Sequence, residues 1–146
     1  MERLEPATAS DHEAIVALLR ACDLPSSDLV PHLQHFLVAR DGAALVGVIG
    51  LEVHGRDGLL RSLAVPEARR GHGIARRLYA AIIGTARRLG LEHLYVLTTT
   101  ARGFFELLGF QVLRREEVPE PIRRTEQFRT LCPTSATCMV RVVLRG

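Results

Sequence analysis

The stretch of this chain best suited to chemistry is Arg69-Arg70-Gly71-His72-Gly73-Ile74-Ala75-Arg76-Arg77. Small residues at 71, 73 and 75 let a ligand approach the main chain closely, which a Cβ or a larger side chain would block. Leu59 to Val65 reads as an apolar strand that stops at Pro66, and Gly73 to Leu89 reads as an amphipathic helix. A helix beginning there brings unpaired N–H groups and the positive end of its dipole to the turn. Arg70 and Arg76 can add charge-assisted hydrogen bonds. Together these features suit a diphosphate, with Arg70, Gly71, His72, Gly73, Ile74, Ala75 and Arg76 around it. The competing reading is a tight turn ahead of an ordinary helix.

The elements that must position this loop can be read on either side of it. Ser10-Asp11-His12-Glu13 has the form of a capping box, and Ile15, Leu18, Leu19 and Cys22 follow at helical spacing up to Pro25. Ser26 to His35 reads as a short helix or a loop. Phe36 to Ala39 and Ala44 to Glu52 form a hairpin across Asp41-Gly42, and the glycines of the second strand predict a close backbone approach or a bulge. After the long helix, whose stripe is Ile74, Leu78, Ile82 and Leu89, Gly90 acts as a C-cap. Leu94 to Leu97 then reads as a buried strand, Ala101 to Leu108 as a short helix and Phe110 to Leu113 as a strand. The segment from Glu116 to Cys132 reads as helical from Pro121, and Thr137 to Leu144 as the last strand. Antiparallel strands, a strand–helix–strand crossover and no repeat or linker predict one α+β domain over residues 1–146.

With 146 residues, 47% of them apolar, the chain can bury a core. Its formal charge is +3, and all nineteen basic residues are arginine, so no lysine of its own can form a Schiff base. Aromatic residues make up only 5%, and a nucleic-acid groove would combine the basic clusters with exposed rings. No nucleic-acid partner is expected. No apolar run is long enough for a membrane span, and Met1 to Pro6 lacks the plan of a secretory signal, which predicts a cytoplasmic protein. Cys22, Cys132 and Cys138 are too few for a disulfide framework.

Arg70-x-x-Gly73-x-Ala75, the strand end Leu63-Ala64-Val65 and the later run Phe104-Phe105-Glu106-Leu107-Leu108-Gly109-Phe110 together resemble the GNAT acetyltransferases over nearly the whole chain. The resemblance implies a central, mixed, mostly antiparallel sheet of six to seven strands flanked by helices. It implies acetyl-CoA as cosubstrate, with its pyrophosphate on the glycine loop and its pantetheine arm along the main chain of Leu63, Ala64 and Val65. One of these N–H groups, Leu63 first, would polarise the acetyl carbonyl as an amine attacks. Phe105 stands in the cofactor region where many family members carry an acidic tyrosine, and a phenyl ring cannot protonate the departing thiolate. Thr98 to Thr100 replace a frequent asparagine, and one of these hydroxyls, Thr98 first, or a water would solvate that thiolate; the competing reading is threonines that only suit a strand end.

An amine substrate is mostly protonated at neutral pH and calls for a base; Glu52 is the first candidate and His54 the second, and an amine that arrives neutral or gives its proton to water needs neither. The segment from Phe128 to Met139, with Gly58 to Val65 and the threonine run, resembles the acetyltransferases associated with arsenic-resistance operons. That likeness implies a small amino-acid-like amine as partner. A guanidinium matches the oxygens of such a molecule, and Arg61, Arg123, Arg124 and Arg129 are the candidates, Arg61 first because it lies in the strand beside the acetyl site; a solvated surface arginine is the competing reading, above all for Arg123 and Arg124. Cys132 and Cys138 read as structural cysteines, with capture of a soft ion as the alternative, and no metal is implied. The last strand offers an edge along which a second copy could pair into a homodimer. Two rivals to a small-molecule transferase are an acyl-CoA-binding sensor with little catalysis and a protein N-acetyltransferase.

Overall fold

A computed structural model of the chain describes residues 2–131 and 135–143, with the side chains of residues 130 and 131 also outside the description. The strands are β1 (Arg3–Pro6), β2 (Phe36–Asp41), β3 (Ala44–His54), β4 (Asp57–Ala64), β5 (His93–Thr98), β6 (Gln111–Leu113) and β7 (Thr137–Val142). The helices are α1 (His12–Ala21), α2 (Ile74–Arg88), α3 (Arg102–Leu107) and α4 (Glu120–Arg123). The strands make one seven-stranded sheet in the order β1-β2-β3-β4-β5-β7-β6. β1–β2, β2–β3, β5–β7 and β6–β7 are antiparallel, and β4–β5 is parallel. The mixed, mostly antiparallel sheet expected from the sequence is therefore present. No helix among the described residues is long and apolar enough to cross a membrane.

The chain forms two compact units, Met1–Glu52 with Arg61–Thr85, and Val53–Leu60 with Ala86–Gly146. In the first, α1 presents Ile15, Leu18 and Leu19 to Phe36, Val38 and Val48 of the hairpin, with Leu29 and Ala64 completing the cluster. The hairpin glycines are there because side chains occupy the space beside them. A Cβ on Gly50 would lie 2.3 Å from the Phe36 ring, and one on Gly47 would lie 2.9 Å from Ile74 and Leu78 of α2. In the second unit, Leu59, Tyr95, Val118, Ile122 and Cys138 form the core. Burial pushes the Cys138 thiol pKa up, against a smaller opposing pull from Arg115. Cys132 lies outside the described residues.

Several expectations are corrected. β1 was not read from the sequence. The α1 entry is capped one turn earlier than expected: the Asp11 carboxylate accepts the Thr8 main-chain N–H at 2.8 Å and an Arg40 N–H at 2.7 Å. Val30–His35 is a 3-10 helix with Pro31 in its first turn, where a missing N–H leaves no hydrogen bond unmade. Leu89 does not continue the α2 stripe; it is 45% exposed, past the end of the helix at Arg88. The stretch after Glu116 breaks into a 3-10 turn, α4 and a π-helical turn over Gln127–Leu131, rather than one helix from Pro121.

Candidate functional site

The glycine loop connects β4 to α2. Its residues Arg70 to Gly73 are exposed, and Gly71 and Gly73 adopt φ of 82° and 80°, which a residue with a Cβ rarely takes. Space beside Gly71 is open. Arg77 donates to the Gly73 carbonyl at 3.1 Å, the first intrahelical bond of α2. The amides of residues 73–76 thus precede any intrahelical acceptor and carry the positive end of a fifteen-residue helix. Ile74 is buried and anchors the turn, while Arg76 is exposed.

Arg70 also braces the loop from within. Its Nε donates to the Val65 carbonyl at 3.0 Å, and a terminal nitrogen lies 3.5 Å from Cys22 Sγ. Cys22 in turn faces the same carbonyl at 3.8 Å. On the loop's flank lies an open groove of about 490 Å³, lined by Glu2, Leu4, Arg69, His72, Ile74 and Arg77. Its arginines are paired, Arg69 with Asp41 at 2.8 Å and Arg77 with Glu2.

The strand leading to the loop is distorted just before Leu63. Ser62 has φ of 59°, a left-handed conformation uncommon for a residue with a side chain and costing of order 1–3 kcal/mol. Arg61 Nε donates to the Ser62 hydroxyl at 3.0 Å and helps hold it. Leu63, half-buried, and Ala64 and Val65, buried, follow directly.

Behind this strand is a buried group of charges. The Arg61 guanidinium, 1% exposed, reaches both oxygens of Asp28 at 2.5 and 2.7 Å and Glu52 Oε2 at 2.8 Å. It also stacks over the Phe36 ring, 5.5 Å from the centroid. The other Glu52 oxygen faces His32 Nε2 at 3.5 Å, and the imidazole is 28% exposed where the carboxylate is 2% exposed. A carboxylate so far out of water stays ionised only with partners of this kind. Arg61, expected at a substrate anion, is instead held between two carboxylates of its own chain. Asp28 and His32 were not singled out from the sequence. They sit at a turn and a 3-10 helix, where neither spacing nor period marks a role.

The remaining expected residues belong to the second unit. Thr98 is buried, and its hydroxyl accepts the Ala101 N–H at 2.9 Å, so it caps the turn into α3. Accepting that bond leaves the hydroxyl its own proton to donate. Phe105 is buried edge-on between Phe104 and Phe110, each centroid 5.3 Å away. His54 is half-buried at the end of β3, and Arg123 is exposed on α4.

The family model of the acetyltransferase (GNAT) domain matches residues 32–112. An amino-acid acetyltransferase of Neisseria meningitidis is 33% identical over 96 residues, which are 64% of this chain and 22% of that relative. This chain therefore spans well under half of that relative's length. An uncharacterized N-acetyltransferase of Chlorobaculum tepidum is 29% identical over 112 residues, 76% of this chain and 70% of its own. Among solved structures, N-acetylglutamate synthase of Neisseria gonorrhoeae, complexed with coenzyme A and N-acetyl-glutamate, matches with a TM-score of 0.87 at 27% identity. The match covers 99% of this chain and 36% of that one. A Mycobacterium tuberculosis protein in complex with CoA matches with a TM-score of 0.82 at 26% identity, covering 97% of this chain and 99% of that one.

Proposed function

Because this chain belongs to the GNAT acetyltransferase family, we propose that it transfers acetyl from acetyl-CoA to the primary amine of a small amino-acid-like molecule. The observation that carries this reading is the exposed glycine loop, with positive φ at Gly71 and Gly73, opening onto the unpaired amides of α2. On this reading those amides and the exposed Arg76 bind the pyrophosphate, and Arg70 keeps the loop closed on Val65. The Leu63 N–H donates to the carbonyl oxygen as charge grows there. The amine nitrogen forms a bond to the carbonyl carbon, the carbon–sulfur bond breaks, and CoA leaves as thiolate. The ammonium proton passes to Glu52.

Phe105 supplies no acid, and the leaving group needs little help, since a thiol loses its proton near pH 8.5 in ordinary surroundings. Thr98 is the residue proposed to donate a hydrogen bond to it. Arg123 is the proposed partner of the acceptor's acidic group. The amino-acid acetyltransferases and the N-acetylglutamate synthase among the similar proteins support an amino acid as acceptor. The likeness to arsenic-resistance-associated enzymes adds arsenic- and phosphorus-containing amino acids to the substrates to try.

Isothermal titration with acetyl-CoA, followed by thiol release with a panel of L-amino acids and these analogues, tests the reading. Binding together with turnover on at least one amine is expected. Binding without turnover on any would favour an acyl-CoA sensor, the reading that Phe105 in the tyrosine position supports. No binding at all would overturn both.

A further inference from the structure

Arg70 ties one side of the glycine loop to Val65, and a second arginine ties the loop from the groove side. Arg77 Nη1 donates to the His72 carbonyl at 3.2 Å. Its Nη2 donates to the Glu2 carboxylate. Nη1 lies so close to the loop that a Cβ on Gly73 would come within 3.4 Å of it. The side chain thus folds back from the first turn of α2 onto the peptide between His72 and Gly73. Glu2 stands one residue before β1, and β1 is held in place by its pairing with β2, in which Arg3 lies opposite Arg40.

This contact has a consequence for the main chain. A trans peptide is planar, so its carbonyl and its N–H point in opposite directions. The peptide between His72 and Gly73 is trans. Holding the His72 carbonyl toward Arg77 therefore turns the Gly73 N–H away from the guanidinium. Little else fixes that peptide. Arg70 to Gly73 are exposed, and the loop borders an open groove on this flank. Gly73 has φ of 80°, and glycine accepts equally well the negative φ that a flipped peptide would bring.

We propose that Arg77 is a positioning residue for the cosubstrate: it holds the 72–73 peptide so that the Gly73 N–H is turned to the diphosphate, and Glu2 holds Arg77. This inference rests on the acetyl-CoA reading of the loop. Arg77 acts through the main chain and does not touch the diphosphate. Its pair with Glu2 is partly exposed, 46% and 19% at the two side chains, and such a pair adds little to global stability. Its effect is local, on an equilibrium between two orientations of one peptide. If the competent orientation falls from nearly the whole population to about a tenth of it, affinity falls about tenfold.

Calorimetry with acetyl-CoA on the full chain tests the proposal. Arg77→Met should bind about tenfold more weakly, with a Tm within about 3 °C of wild type. With an amine that turns over, the loss should appear in KM for acetyl-CoA and leave kcat unchanged. Losing a positive charge could also weaken an anion, and two comparisons separate the effects. Arg69→Met removes the same charge from the same groove and should cost less than about threefold, as one exposed, screened charge would. Glu2→Ala removes a negative charge beside an anion site, so charge alone would tighten binding, whereas positioning predicts binding about threefold weaker. In an Arg77→Met background Glu2→Ala should cause no further loss, because it acts through Arg77. Equal losses in Arg77→Met and Arg69→Met, or tighter binding in Glu2→Ala, would overturn the proposal. The unliganded protein gives a second readout by NMR. The residual dipolar coupling of the Gly73 N–H should change in Arg77→Met while those of the later turns of α2 hold, and an unchanged Gly73 coupling overturns the proposal by itself. Failure of the wild type to bind acetyl-CoA would overturn the reading of the loop and this proposal with it; wild-type binding with an unaffected Arg77→Met overturns the proposal alone.

Discussion

Replacing Arg61 by methionine should destabilise this protein more than its loss of one surface charge would suggest. The guanidinium is 1% exposed and holds two carboxylates that are 7% and 2% exposed. Asp28 and Glu52 both bond the same guanidinium nitrogen, so removing it leaves two buried like charges without the cation that bridges them. Breaking a buried ion pair from one side costs about 3–5 kcal/mol. For a chain of this length each kcal/mol lowers Tm by about 3 °C, so a loss of about 10–15 °C is expected in thermal unfolding followed by circular dichroism. The deficit should shrink as pH is lowered toward about 5, because a buried carboxyl without a partner escapes its cost by binding a proton. The triple variant Asp28→Leu/Glu52→Met/Arg61→Met should regain at least half of the loss, since apolar replacement of a whole buried charge group is often neutral. A Tm within about 3 °C of wild type for Arg61→Met would refute the reasoning, showing that water reaches the group. A triple variant no more stable than the single one would refute it too.

Two further outcomes follow from local geometry. Gly71→Ala has room for its Cβ but must hold it at φ near 82°, a strain of about 1–2 kcal/mol; acetyl-CoA affinity measured by calorimetry should drop about tenfold with little change in far-ultraviolet circular dichroism, and unchanged affinity would count against the loop as the pyrophosphate site. Burial alone would raise the Asp11 pKa, but hydrogen bonds from Arg40 and the Thr8 main chain outweigh it and hold it below the usual carboxylate value. Its contribution to stability is therefore present above the unfolded value of about 3.9 and is lost as pH falls through the lower folded value. The Tm advantage of wild type over Asp11→Asn should be constant from about pH 5 to 7 and should shrink below about pH 4; an advantage that does not change at acid pH would contradict the assignment.

The parts of the fold that were legible in the sequence are those with a local cause. The α2 stripe of Ile74, Leu78 and Ile82 is buried because a 3.6-residue period puts them on one face. Gly47 and Gly50 were readable as close-approach positions, and the Phe36 ring and the α2 side chains are what approach them. β1 was missed because Arg3-Leu4-Glu5-Pro6 is short and polar. Its register with Arg40, Ala39, Val38 and Leu37 comes from a partner more than thirty residues away, beyond the reach of any window. The same holds for the broken helix after Glu116. Pro119 and Pro121 mark a helix start within it, and Val118 and Ile122 are drawn into the core with Leu59 and Tyr95, packing that no local pattern shows.

The candidate site divides along the same line. The glycine loop is a contiguous stretch whose backbone requirements are written into residue type, so Gly71 and Gly73 pointed to it directly. Glu52 and Arg61 also stood out, as charges inside apolar strands, but sequence gave no means to say that they would neutralise each other. An isolated arginine on a strand is reasonably assigned to an outside anion until a carboxylate is found against it. Here the carboxylates come from β3 and from the turn at Asp28, and they arrive only when the chain is folded. Once Arg61 is bound in this way, the anion of an amino-acid acceptor must be met by another cation. Glu52, proposed as the base, keeps its second carboxylate oxygen 3.5 Å from His32 Nε2. The fold thus ties Arg61, expected at the acceptor's acid group, to Glu52, the residue proposed as the base.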